Sequence, residues 1–76
     1  MNISNFIENF ANVFDETDIS QFRASTEFKN LDEWNSLISL SIIAMVDEEY
    51  EVSLKGDDIR NAKTIEDLFK IVQNKK

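Results

Sequence analysis

Apolar residues recur along this chain at steps of three and four, and that spacing is the strongest constraint on its fold. Near the amino terminus Ile3, Phe6, Ile7, Phe10 and Phe14 fall on one stripe of a helix that turns about 100° per residue. Near the carboxyl terminus Ile65, Leu68, Phe69 and Val72 form a second stripe. Between them, Ser36 to Tyr50 carries apolar residues at helical spacing with no Gly or Pro to interrupt it. Alternation with period two occurs only over Tyr50 to Leu54, too short and isolated to found a sheet. The 76 residues make one domain, 1–76. Its predicted class is all-α: a four-helix bundle with three longer helices, one short third helix and a long first loop.

Polar residues mark the boundaries. Asn2 or Ser4 can cap the first helix, and the acidic, turn-forming run Asp15 to Asp18 opposes its extension. A long connection runs from Asp15 to Trp34. Its Ile19, Phe22, Phe28 and Leu31 predict that it packs down, with a single helical turn near Ser20 to Ala24. The second helix starts at Asn35 or Ser36, with Asn35 a good N-cap. Gly56 to Asn61 reads as a short helix, with Asp57 and Asp58 at its start and Arg60 at its end. Thr64 and Asp67 form a capping-box pattern that opens the last helix, and Asn74 to Lys76 reads as a fraying tail.

What the chain lacks narrows its chemistry. It has no His and no Cys, so disulfides, Cys or His zinc sites, and Ser-His-Asp or Cys-His centres are excluded. Paired carboxylates need a cleft that shifts one pKa, which a small helical bundle rarely offers, so no catalytic residue is expected. Asp15-Glu16-Thr17-Asp18-Ile19 lacks the ligand alternation and Gly of a calcium loop, and no metal site is expected. With 42% apolar residues the chain can build a core. The net charge of −7 argues against nucleic acid and anionic membranes as partners and favours basic protein surfaces. Met1 to Asn5 has no basic residue or apolar run typical of a secretory signal, and Ile42 to Val46 is far short of a bilayer span. The expectation is a cytoplasmic protein with no membrane insertion.

The second helix holds more apolar surface than a core needs. Ile38, Ile42, Met45 and Val46, extended by Ile43 and Tyr50, make one broad arc. Leu37, Leu40 and Ala44 make another, rimmed by Ser36 and Asp47 on one side and Ser41 and Glu48 on the other. This strip either docks a partner or packs beneath the long first loop. From Leu31 to Asp58 the acids Asp32, Glu33, Asp47, Glu48, Glu49, Glu51, Asp57 and Asp58 face Lys55 alone, an excess equal to the whole net charge of −7. The negative field therefore centres on the helix that carries the strip, as suits steering toward a basic patch. Ser36 lies at that helix's start, where free N–H groups suit an attached phosphate; taken alone, such a Ser is far more often an ordinary capping residue.

Taken together these residues resemble the acyl carrier proteins, over essentially the whole chain. Asn35-Ser36-Leu37, preceded by Leu31-Asp32-Glu33-Trp34, resembles that family's Asp-Ser-Leu attachment motif. Ile42-Ile43-Ala44-Met45-Val46-Asp47-Glu48-Glu49-Tyr50 looks like its apolar helix ending in acids and an aromatic. Leu54, Asp57, Asp58 and Ile59 resemble its short third helix, and Thr64-Ile65-Glu66-Asp67-Leu68 its final-helix start. The resemblance implies a monomeric carrier with 4′-phosphopantetheine attached at Ser36, flanked by Asn35. A phosphopantetheinyl transferase using Mg2+ would add that group from coenzyme A. Leu37, Leu40, Ala44, Asp47 and Glu48 would then contact acyl-transferring or condensing enzymes through basic docking patches. It further implies fatty-acid-like or specialised lipid or polyketide biosynthesis, with the acyl chain near residues such as Phe28, Ile42, Ile59 and Leu68. Trp34 reads as a packed anchor ahead of the attachment residue. The sequence departs from the family at Asn35, where the usual Asp helps bind the transferase's magnesium, and an amide is a poorer ligand for that hard cation. Ile38 and Ser41 also stand where fatty-acid carriers often have acids. The other reading is an unmodified interaction module that docks a basic partner through the same helix.

Overall fold

Helix α1 spans Ile3–Ala11 in the computed structural model, which describes residues 2–76. Asn2 caps it, its carboxamide oxygen accepting from the Ser4 N–H at 2.8 Å. The helix stops short of Phe14, where the sequence stripe extended it. The Val13 and Phe14 N–H groups bond to the Phe10 and Ala11 carbonyls, three residues back, and this tightened turn ends the helix. Phe14 still reaches the core and is buried.

The long connection contains two 3₁₀ turns, Ile19–Gln21 and Phe28–Asn30. The first overlaps the expected turn at Ser20 to Ala24 only at Ser20 and Gln21; the second has no signature in the apolar pattern. Phe22 and Phe28 are buried and Leu31 is half-buried, as their types predict, but Ile19 is 59% exposed and does not pack down. Polar contacts complete the loop's order. The Glu33 carboxylate accepts from the Asp15 N–H at 2.8 Å, the Glu16 N–H at 3.0 Å and the Thr17 hydroxyl at 2.8 Å. One carboxylate thus ties both ends of the connection together.

Helix α2 spans Ser36–Tyr50 and is capped by Asn35, whose Oδ1 accepts from the Ile38 N–H at 2.9 Å. It ends at Glu51, which takes a left-handed conformation with φ 57°. The stretch that follows belongs to no helix or strand. Val52 and Leu54 point into the core while Glu51, Ser53 and Lys55 face solvent. The short period-two pattern is therefore real, but it serves a crossover rather than a sheet. Helix α3 spans Gly56–Asn61, with the Lys55 N–H donating to the Asp58 carboxylate at 2.9 Å.

Helix α4 spans Ile65–Lys75, so the helix persists through most of the segment expected to fray. The Lys75 ammonium lies 3.4 Å from the Asp58 carboxylate, tying the helix's last turn to α3. At its start, each of the N–H groups that a helix leaves free finds an acceptor. Ile65 and Glu66 donate to the loop carbonyls of Thr26 and Ala24, Asp67 to the Thr64 hydroxyl, and Thr64 to the Asp67 carboxylate. The long connection thus docks on α4 as well as on the core.

Helix α1 packs on both α2 and α4, and α3 packs on α4. Every aromatic ring in the chain belongs to one connected cluster. Phe6 meets Phe10, Tyr50 and Phe69; Phe10 meets Phe14, Phe22 and Phe28; Trp34 closes the far end against Phe14 and Phe28. Rings fill the space that a small bundle with a long loop would otherwise leave void. The radius of gyration is 11.0 Å, near the roughly 11 Å of a single folded domain this long. Among the described residues no strand is present, and no helix is long and apolar enough to cross a membrane.

Candidate functional site

Ser36 is the first residue of α2 and is exposed. Two neighbours fix its position. Asn35, also exposed, spends its side-chain oxygen on the Ile38 N–H. Trp34, half-buried, lies 5.0 Å from the Phe28 ring, centroid to centroid, nearly edge to face. The aromatic cluster therefore extends to within two residues of the Ser36 hydroxyl.

The second apolar arc of α2 faces solvent. Leu37 is 71% exposed and Leu40 62% exposed, and Ala44, Asp47 and Glu48 continue the same face and are also exposed. Packing beneath the first loop is thereby excluded for Leu37 and Leu40. From Leu37 to Glu48 the strip runs about 16 Å along the helix, apolar at its amino-terminal half and acidic beyond. The opposite face is buried at Ile42, Val46 and Tyr50, with Ile38, Ile43 and Met45 half-buried against the core. The far end of α2 is locked to α1. The Tyr50 hydroxyl donates to Asn5 Oδ1 at 2.9 Å and accepts from Asn9 Nδ2 at 3.0 Å.

An open groove of about 620 Å³ flanks Ser36 between the start of α2 and α3. Leu40, Ile43, Ile59 and Trp34 give it apolar walls, while Ser36, Ser39 and Asn35 supply polar edges. Lys29 and Arg60 also line it. The Lys29 ammonium donates to the Ile59 carbonyl at 3.2 Å and the Arg60 carbonyl at 3.0 Å, so it caps the end of α3. Arg60 in turn is ion-paired with Asp57. Sequence reasoning missed this groove. Lys29 lies in the long loop and meets α3 only through the tertiary fold, and no local pattern announces it. Of the residues expected near an acyl chain, only Ile59 borders the groove; Phe28, Ile42 and Leu68 are fully enclosed in the core.

A second, more polar hollow of about 410 Å³ is lined by Glu16, Thr17, Gln21, Asn30, Leu31, Asp32 and Glu33. Partial desolvation raises the Glu33 pKa, but bonds from the Thr17 hydroxyl and from the Asp15, Glu16 and Thr17 N–H groups outweigh it and hold the carboxyl below its ordinary value. Asp18 is lowered by the Ser20 N–H and hydroxyl. Asp67 is lowered by the Thr64 and Lys63 N–H groups above all. These three carboxylates are structural staples, and none lies on the exposed strip of α2. Among the described residues, no three acidic side chains gather to hold a metal ion. Compared with known proteins, the chain matches no family model, no curated protein and no solved structure.

Proposed function

We propose that this chain is an acyl carrier protein with a 4′-phosphopantetheine arm attached at Ser36. One observation carries the reading. An exposed Ser at the first position of α2 shares that helix with a solvent-facing strip of Leu37, Leu40 and Ala44 that runs into Asp47 and Glu48. A modifying enzyme must reach the hydroxyl and a partner must reach the strip, and both are accessible from one side. When bound, the arm supplies a terminal thiol that holds acyl groups as thioesters, chemistry that a chain without Cys lacks. The residues present fit such a group: the Ser36 hydroxyl is exposed, and the adjoining groove has apolar walls and basic rims.

The chain's own part is presentation. Leu37, Leu40 and Ala44 lose water against a partner's apolar patch, while Asp47 and Glu48 meet its basic residues and set the orientation. The partners are a Mg2+-dependent phosphopantetheinyl transferase and acyl-transferring or condensing enzymes with basic docking patches, in fatty-acid-like or specialised lipid or polyketide biosynthesis. Contacts of this kind weaken with salt, because surface charges are screened within about 8 Å at physiological ionic strength.

Asn35 favours a second reading. With an amide before Ser36, the chain offers a transferase's magnesium a poorer ligand, and the same face then docks a basic partner with no arm attached. Intact mass after incubation with coenzyme A, Mg2+ and a broad-specificity transferase separates the two. The carrier gains one phosphopantetheinyl group and Ser36→Ala gains none while keeping its helical content. An unchanged mass in both, with salt-dependent binding to a basic partner retained, supports the module instead.

A further inference from the structure

We infer that the groove beside Ser36 is a cradle in which Lys29 and Arg60 grip a phosphate ester carried on the Ser36 hydroxyl. The inference rests on the carrier reading for the identity of the ester, but its physical basis is the groove itself. The chain has 15 acids against 8 bases, so an average hollow on its surface is acidic. Among the described residues, this one is lined by Lys29 and Arg60 and by no acid. Asp57 is ion-paired with Arg60 from outside the lining, and Asp32 and Glu33 line the other hollow.

One cation is held in place and the other stands exposed in a surface ion pair. Lys29 is fixed by two hydrogen bonds to the last carbonyls of α3, and an ammonium has a third N–H to give. Arg60 projects from α3 with its side chain exposed, and a guanidinium paired with one carboxylate keeps further donors free. A phosphate on Ser36 would therefore meet Lys29 and Arg60 across the groove. Through Lys29 it would connect the start of α2 to the end of α3. The apolar walls at Leu40, Ile43 and Ile59 would cover the first carbons of a pantetheine stem. Any phosphate ester at this hydroxyl has the shared chemistry, whether the arm or a simple phosphoserine.

Chemical synthesis of the 76-residue chain provides the test, because it places each ester without any transferase. Three forms are made: free Ser36, O-phosphoserine at 36, and phosphopantetheinyl-serine at 36. Phosphorus NMR follows the second ionisation of the phosphoserine, ordinarily near pH 6. It should fall about half a unit lower in the native background than in Arg60→Gln or Lys29→Met, as expected for two nearby cations. Lys29→Arg should restore it. Arg60→Gln leaves the Lys29 clamp intact, so the test survives if Lys29→Met loosens α3. In the phosphopantetheinyl form, amide exchange at Ile59 to Ala62 should slow several-fold relative to free Ser36, and Lys29→Met should abolish the slowing.

Identical phosphorus titrations in all backgrounds overturn the cradle. A depressed titration in the synthetic protein, together with failure of every transferase to load Ser36, sinks the carrier reading while the cradle stands. Depression with phosphoserine but no protection of α3 by the arm supports the cradle for a simple phosphate.

Discussion

Replacing Leu37 and Leu40 by Gln separates docking from folding. Gln is a good helix former of similar length, so the substitution removes apolar surface without breaking α2. Fully burying a Leu side chain is worth about 1.5–3 kcal/mol. Leu37 keeps 71% of its surface exposed and Leu40 62%, so most of that energy is unspent in the free protein. Scaled by those fractions, each residue has about 1–2 kcal/mol to contribute on docking. The double variant should therefore lose about 2–4 kcal/mol of partner binding, roughly 30-fold to 1000-fold. The free protein should change little, within about 0.5 kcal/mol per site, as exposed substitutions generally do. The assay is transferase loading measured as kcat/KM, with thermal unfolding alongside. Loading at wild-type efficiency would refute the docking role of the strip. A Tm lowered by ten degrees or more would show instead that Leu37 and Leu40 hold the fold together.

Further outcomes follow from individual residues. Glu51 ends α2 at φ 57°, where a side chain costs about 1–2 kcal/mol that Gly avoids, partly offset by the greater freedom of Gly in the unfolded chain. Glu51→Gly should raise the midpoint of urea unfolding by about 1 kcal/mol equivalent; a lower midpoint contradicts the strain at this cap. Glu33 has its pKa depressed in the folded chain, so its stabilisation is complete above the ordinary unfolded value and is lost as pH falls through the lower folded one. Glu33→Gln should therefore flatten the acid side of the stability profile below about pH 4.3, and an unchanged profile would mean the loop clamp contributes nothing. Asn35→Asp keeps an oxygen for the Ile38 N–H and adds a charge that suits a helix start, worth about 0.3–1 kcal/mol. It should load faster than the native chain at equal or greater stability; unchanged loading would mean that the residue before Ser36 does not limit modification.

The helices were legible because their signals are local. Asn35 and Thr64 cap α2 and α4 through bonds that reach only three residues along the chain, and such bonds depend on little beyond residue type and spacing. The strip itself was legible as a second apolar arc on α2, but its exposure was not, since the same arc could equally have packed beneath the long first loop. Sequence reasoning overran α1 at Phe14 because apolar spacing says which side chains turn inward, and a tight turn delivers Phe14 to the core as well as a helix would. It misplaced Ile19 for the converse reason, since an apolar residue in a loop is buried only if some element arrives to cover it.

By itself the sequence determined the all-α class, the ends of α2 and α3, the capped start of α4, and the identity of the Ser and the strip that share α2. Only the tertiary structure decided whether that strip faces the loop or the solvent. It alone joined every ring from Phe6 to Phe69 into one cluster. It alone brought Lys29 onto the carbonyls of α3, beside a hydroxyl seven residues further along the chain. The physical reason is range: capping and periodicity are settled within a turn of backbone, whereas a groove's charge depends on which distant side chains the packed core leaves standing at its rim.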